Sequence, residues 1–580
     1  MFIPATPEDM KKMGWDRPDI ILVSGDTYID SSYNGTAVIG HWLMKHGFKV
    51  ALIAQPGMDN DDIERFGEPR LFWSVSAGCV DSMVSNYTST GKFRKDDDFT
   101  PGSINNRRPD RACIAYTNLI KKHFKKNMIV LGGVEASLRR IMHYDLWSDS
   151  VRRSILFDSK ADVITYGMAE RANLELARAV SNGDDWKDIN GICYISKEKV
   201  QGYLDIPSYE ECSADTDAFI KAFRIFYYNS DPHYAKGLTQ KHGDRYLVQN
   251  PPFDMDTETL DSIYNMDFEN VVHPFYLKQG KVKAMETIKQ SLTTHRGCYG
   301  ECGFCSIAVH QGRTVISRSE SSVINEAKRI SRAKGFNGII YDVGGPTANM
   351  YGIECLLKET EGACRDKHCL YPNVCENMDP DHSAQIRLLE SISNIDGIKK
   401  VFVNSGIRYD MIIADEDRGR EYLDKIVKNH ISGQMKIAPE HVSNEVLALM
   451  GKPGKKTLMN FKQMFTESNE NAGKDQYLTY YFMAAHPGCY EHHMHELNEF
   501  IHTKLKTNPE QVQIFTPTPS TMSTLMYHTR RDPDNRRDLK SEHSMQMKQK
   551  QKDILMKSTH SAPKRKSTKG VSDKAIQKNS

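Results

Sequence analysis

The strongest constraint on this chain is a repeated unit: a short apolar run, a glycine or small-residue stop, then a helical pattern. Ile20-Ile21-Leu22-Val23 ends at Ser24-Gly25-Asp26, a helical stretch follows from Gly35 to His46, and a second run spans Lys49 to Ile53. Asn127 to Leu131 stops at Gly132-Gly133, and Asp162 to Tyr166 stops at Gly167. Runs this apolar are buried on both faces, as strands of a parallel sheet with helical crossovers are. Residues 1–195 are therefore expected to form a doubly wound α/β domain. Its ligand edge lies beyond the strand C-termini, where Gly132, Gly133 and Gly167 fall.

At 580 residues the chain is too long for one core. Residues 196–280, with turns at Asn250-Pro251-Pro252 and His273-Pro274, read as a connecting segment. A second strand–helix series then begins. Its strand candidates are Ser291 to His295, Gly338 to Val343, Lys400 to Asn404, Gln434 to Ile437, Leu478 to Met483 and Val512 to Phe515. Helical faces lie between them, such as Val323, Ile324, Ala327 and Ile330, or Leu458, Phe461 and Phe465. Six strands alternating with helices predict a partial (β/α)6 barrel over residues 281–529, with its chemistry at the strand C-termini. The fold class is thus α/β, a Rossmann-like domain followed by a partial barrel. From Arg530 to Ser580 there are 15 Lys and Arg against 6 Asp and Glu, including Lys564-Arg565-Lys566, which predicts a flexible basic tail.

Seven of the twelve cysteines fall between Cys298 and Cys375. The first strand of the second series runs into Arg296-Gly297-Cys298-Tyr299-Gly300-Glu301-Cys302-Gly303-Phe304-Cys305. Three thiols on one loop suit a cuboidal iron–sulfur cluster, or zinc, because soft thiolates favour both. A closed structural site wants four ligands, so three leave one metal position open. Phe304 places an aromatic ring beside the metal. The remaining thiols, Cys355, Cys364, Cys369 and Cys375, lie in a polar insert over residues 355–375 and fit a structural zinc, a second iron–sulfur cluster, or simply four reduced cysteines.

The Cys298-x-x-x-Cys302-x-x-Cys305 spacing with Phe304 resembles the radical S-adenosylmethionine (SAM) signature. Longer strings resemble the YgiQ-type radical SAM proteins: His310-Gln311-Gly312-Arg313, Gly344-Gly345-Pro346-Thr347-Ala348-Asn349-Met350-Tyr351-Gly352, and Ser405-Gly406-Ile407-Arg408-Tyr409-Asp410. Arg107 to Ala112 and Gly132 to Ser137 extend the resemblance, which covers about Asp19 to Arg530. It implies a [4Fe–4S] cluster on Cys298, Cys302 and Cys305, with SAM chelating the open iron and being cleaved reductively to a 5′-deoxyadenosyl radical. It also implies backbone contacts to SAM from Gly344, Gly345, Pro346 and Thr347. Ser405 and Arg408 would meet the SAM carboxylate or ribose, and Glu440 would accept from the ribose. The N-terminal domain resembles the cobalamin-binding domain that precedes many radical SAM barrels. The string Asp30-Ser31-Ser32-Tyr33-Asn34-Gly35 lacks that family's histidine, so bound cobalamin is not expected.

The expected activity is SAM cleavage coupled to hydrogen abstraction from a substrate the sequence does not reveal, and no residue is assigned as catalytic. The partners implied are SAM, the substrate and a reductase or flavodoxin/ferredoxin-type electron donor. The alternative is a non-catalytic, metal-stabilised RNA-binding protein using the basic tail and the polar cysteine insert. A net charge of +2 does not mark the whole chain as a nucleic-acid binder. No run of residues is apolar enough for a membrane span, and Met1 to Pro18 has no signal-like apolar core, so a cytoplasmic protein is expected.

Overall fold

The computed structural model describes residues 1–509 and 511–556. Its N-terminal part is a nine-stranded sheet: β1 (Ile20–Ser24), β2 (Val50–Ala54), β3 (Phe72–Ser76), β4 (Met128–Gly132), β5 (Val163–Thr165), β6 (Ile192–Ser196), β7 (Leu204–Ile206), β8 (Leu238–His242) and β9 (Arg245–Gln249). The order is β7-β8-β9-β6-β5-β4-β3-β1-β2. The strands β2, β1, β3, β4 and β5 are mutually parallel, and every residue of β1 and β2 is buried. Register aligns their C-terminal ends: Ser24 pairs with Ala54 and Ser76, and Ser76 with Gly132. The glycine turns after β3, β4 and β5 therefore share one edge. Gly133 needs its hydrogen there, since it has φ +76° and a Cβ would lie 2.5 Å from Ser76 Oγ.

The sheet does not end at residue 195. Residues expected to be a connector supply β7, β8 and β9 and the helix Thr216–Tyr228, and β6, β9 and β8 pair antiparallel. The reason is a tight hairpin, His242-Gly243-Asp244-Arg245, in which Gly243 has φ +61° and His242 pairs with Arg245. The hairpin extends the antiparallel flank that β6 begins beside β5.

The second half is a row of short parallel strands: β10 (Ser291–Thr293), β11 (Ile339–Ile340), β12 (Asp342–Gly344), β13 (Lys400–Val401), β14 (Gln434–Glu440), β15 (Tyr477–Ala484) and β16 (Gln511–Ile514). β10 pairs with β12, β11 with β13, β14 with β15, and β15 with β16, all parallel. An Ile407–Ile437 bridge joins the two runs. Strand order follows chain order, as in a (β/α) barrel segment.

The chain past Arg530 differs from the flexible tail expected of it. Met545–Met556 is a helix packed on Glu491–Phe500. Its Lys548 is fully buried, donating to the Tyr527 hydroxyl at 2.9 Å, and Gln551 accepts from the Ala485 N–H at 2.9 Å. Charge counting missed this because the buried face uses the stems and amides of long polar side chains. Lys564-Arg565-Lys566 lies outside the described residues. Among the described residues no helix is long and apolar enough to cross a membrane.

Candidate functional site

The three-cysteine loop leaves the row just after β10. Gly297 (φ +81°) makes the first turn, where a Cβ would sit 1.9 Å from the Thr314 carbonyl oxygen, so only glycine fits. Cys298 Sγ accepts from the Gly300 N–H at 3.3 Å and lies 3.5 Å from Thr347 Oγ1; Cys302 Sγ accepts from Arg408 Nη1 at 3.5 Å. The Cys305 N–H donates to the Cys302 carbonyl at 2.9 Å. Burial raises the Cys298 thiol, with the neighbouring Cys302 adding to the shift, and burial with the same neighbour pushes Cys305 up to about 12. Burial of this kind favours the neutral thiols of Cys298 and Cys305, and an iron–sulfur core would displace their protons on binding. The donor set fits a cluster.

Beside the loop lies a cavity of about 470 Å³ between the edge of the N-terminal sheet and the second row of strands. One wall includes Gly344, Gly345, Pro346 and Ser405; the other includes Gly78, Gly132, Gly133, Gly167 and Tyr33. Thr347 reaches Cys298, so the turn that begins at Gly344 borders both cavity and loop. The glycine at 345 has a nearer cause than an approaching ligand: a Cβ there would lie 2.6 Å from the buried His295 ring.

The other SAM-contact residues inferred from the sequence are held by protein groups. Ser405 donates its hydroxyl to Asp342, whose other oxygen accepts from the Asn404 and Ser405 N–H groups at 2.8 and 3.1 Å. Arg408 is buried and forked onto Asp410 at 2.9 and 2.5 Å, leaving Nη1 for Cys302. Glu440 ends β14 in the left-handed region (φ +66°), and burial raises its carboxyl to about 7 against the pull of Lys452 and Arg408. Phe304 is half-buried and edge-on to His486 at 6.5 Å.

Glu301, to which sequence reasoning assigned no role, anchors the loop. This residue (φ +43°) is buried between Arg313 at 2.8 Å, Lys358 at 3.4 Å and His368 at 3.6 Å. Burial pushes its carboxyl up, but His368, Arg313 and Lys358 outweigh it and hold the group at about 2. Lys358 and His368 belong to the insert, and Arg313 also donates to the Cys364 carbonyl at 2.8 Å. The insert is thus clamped to the three-cysteine loop by charge. The available signal was a lone acid inside a cysteine loop. Of the insert thiols, Cys355 and Cys369 are buried and Cys364 and Cys375 half-buried. Among the described residues the one group of three or more metal-ligating atoms within 4.8 Å of one another is Asp61, Glu64 and His123. The four thiols are accordingly not drawn into a single-ion cage, whereas a cuboidal cluster holds its sulfurs farther apart.

Residues 2–291 match the family model described as Radical SAM N-terminal. The UPF0313 protein FN0734 of Fusobacterium nucleatum is 56% identical over 96% of this chain and 98% of its own length. UPF0313 proteins of Thermotoga petrophila (96% of this chain, 98% of theirs) and Methanosarcina acetivorans (92% and 75%) are 46% and 45% identical. Solved structures that overlap the chain include the radical SAM methyltransferase TsrM from Kitasatospora setae with cobalamin and a [4Fe–4S] cluster bound, at 13% identity and TM-score 0.49 over 88% of this chain and 77% of that one. Another is the cobalamin-dependent SAM radical enzyme OxsB with aqua-cobalamin bound, at 13% and 0.48 over 88% and 55%. Both of these structures hold cobalamin, which overturns the expectation that cobalamin is foreign to a chain of this kind. In this chain Asp30 is turned to other work, paired with His41 at 2.5 Å and accepting from Tyr28 at 2.8 Å. From the identity shared along nearly its whole length and the match of its first half, the chain belongs to the UPF0313 protein family and carries a radical SAM N-terminal domain.

Proposed function

We propose that this chain is a radical SAM enzyme of the YgiQ type that binds a [4Fe–4S] cluster through Cys298, Cys302 and Cys305. The observation that carries the reading is a loop of three thiols whose Cys298 sulfur lies 3.5 Å from Thr347, the residue that follows the Gly344, Gly345 and Pro346 wall of the cavity. When bound, the cluster supplies the electron that cleaves SAM to methionine and a 5′-deoxyadenosyl radical. Gly300 and Arg408 donate to the thiolates, and such charge-assisted bonds stabilise the ionised ligands. Asp410 fixes Arg408 in that pose, so its cation faces sulfur rather than solvent. The backbone from Gly344 to Thr347 would meet SAM, with Ser405 held at the cavity wall by Asp342. Glu440, near neutrality in its buried setting, would accept from the ribose. The two-walled cavity excludes bulk water from a reactive radical and positions substrate opposite SAM. A one-electron donor of flavodoxin or ferredoxin type completes the cycle.

The test is anaerobic: iron-replete protein, dithionite and SAM should release 5′-deoxyadenosine and methionine, slowly without substrate. Fully loaded protein that neither binds nor cleaves SAM would defeat the reading. The RNA-binding alternative gains nothing here, because the described part of the basic C-terminal segment is packed into the fold.

A further inference from the structure

Residues that line the cavity on the side of the N-terminal domain carry buried polar atoms that no protein group satisfies. The helix Glu170–Asn182 begins there, and Glu170 and Asn173, one turn apart on the same face, both line the cavity at 3% exposure each. Glu170 gives Oε1 to Arg296 at 2.7 Å, while Oε2 is buried without a partner. Asn173 donates from Nδ2 to Thr165 Oγ1 at 3.1 Å and to the Ala169 carbonyl at 2.8 Å, which fixes the amide and leaves Oδ1 unpartnered. His310, on the same cavity, has a buried Nδ1 without a partner, and burial lowers its ring to about 4. A buried acceptor left unmet costs roughly 1–3 kcal/mol. Concentrated at one cavity, such atoms mark a place where a ligand supplies the donors.

We propose that this half of the cavity binds a ligand through a neutral primary amide, its two N–H groups donated to Glu170 Oε2 and Asn173 Oδ1. Arg296 already neutralises the Glu170 charge, so the site asks for donors rather than for a cation. A carboxylate would set its lone pairs against both acceptors and be rejected. The inference rests on the proposed function in one respect: the same cavity is bordered by Gly344 to Pro346, so the amide belongs to the substrate or to a second cofactor used beside SAM.

The test uses full-length, anaerobically prepared protein without SAM, so its failure is separate from failure of SAM cleavage. Nicotinamide and nicotinate, which differ only in amide against carboxylate, are titrated by saturation-transfer NMR. The amide should bind and the acid should not, and Asn173→Leu should weaken the amide about tenfold. Val134→Trp adds bulk at another residue of the cavity lining, and should weaken binding while circular dichroism stays unchanged. A second arm measures retention of hydroxocobalamin, whose rim carries primary amides, through gel filtration. Retention that falls in Asn173→Leu assigns the amide to a corrinoid; no retention with nicotinamide selectivity intact assigns it to a substrate. Equal binding of amide and acid, or nicotinamide or hydroxocobalamin binding indifferent to Asn173→Leu, would overturn the proposal.

Discussion

The two cysteine groups are close in sequence and opposite in construction. Cys298, Cys302 and Cys305 sit on one turn-rich loop whose backbone is forced by Gly297 and whose sulfurs already accept from Gly300 and Arg408. Cys355, Cys364, Cys369 and Cys375 are spread through an insert in which the organising group is a carboxylate. Glu301 reaches across from the three-cysteine loop to Lys358 and His368, and Arg313 ties the Cys364 carbonyl to the same acid. In the first group the thiols are the purpose of the geometry. In the second, charge pairing holds the segment in place, with Cys369 packed in a small apolar cluster beside Tyr299 and Leu370. Proximity in sequence did not make the two groups alike.

The largest effect follows from the first group. Replacing Cys298, Cys302 and Cys305 together by Ala should remove the iron and the visible absorption of anaerobically reconstituted protein, and abolish SAM cleavage. Iron content unchanged by the triple substitution would place the cluster elsewhere. Next is the clamp. Glu301→Gln leaves Arg313 and Lys358 buried without their acid, a class of change that costs roughly 3–5 kcal/mol. It should lower the melting temperature and make the cluster easier to strip with chelator, although no thiol is touched. Lys358→Met, which removes the insert's charge and fills similar volume, should be milder than Glu301→Gln. If both leave iron retention at the parent's rate, the insert does not brace the loop.

How much of this was legible beforehand depended on what each residue does locally. The strands β1, β4 and β5 announce themselves because burial on both faces requires unbroken apolar runs, and β14 and β16 because buried residues alternate with more exposed ones. The strands β7 to β9 do not. Thr239, Gln240 and Gln249 are buried polar residues within them, and Gln249 accepts from Arg140 at 3.0 Å, so apolar counting falls short. The thiols were legible from spacing alone. Glu301, Arg313 and Lys358 were not, since their pairing spans 12 and 57 residues of sequence and only the fold brings them together. Arg408 shows the reverse case: the string containing it was readable, but its partner two residues on, Asp410, decides which way the cation points.

On the barrel side of the cavity, the comparison can be sharpened at Gly345. Gly345→Ala sets a Cβ against the His295 ring, and overpacking of this kind costs about 1–3 kcal/mol. SAM affinity by equilibrium dialysis should fall about tenfold in Gly345→Val at equal iron content. His295→Ala should restore most of the loss in Gly345→Ala if the histidine is the obstacle. A loss that persists in the double variant would show that the glycine serves direct backbone approach to SAM.

The smallest effect is expected from the second cysteine group, and it is the most informative about the contrast between the two. Burial pushes the Cys369 thiol up to about 12 even with Lys358 nearby, so without metal it is a neutral side chain in an apolar setting. The Cys375 N–H donates to the Cys369 carbonyl at 2.8 Å, a contact that does not need either sulfur. Because Glu301 and its three partners hold the insert, replacing Cys369 and Cys375 by Ser should leave iron and zinc per chain unchanged. SAM cleavage, compared at equal iron, should stay within about twofold of the parent, as a difference below roughly 0.5 kcal/mol implies. The Ser hydroxyl at 369 enters a buried site, and a modest fall in melting temperature is expected from that alone. Metal analysis by mass spectrometry separates the cases. A drop of one zinc, or of several irons, with SAM cleavage partly retained would mean that the insert thiols do close around a second centre. The clamp would then be an addition to that centre rather than a substitute for it.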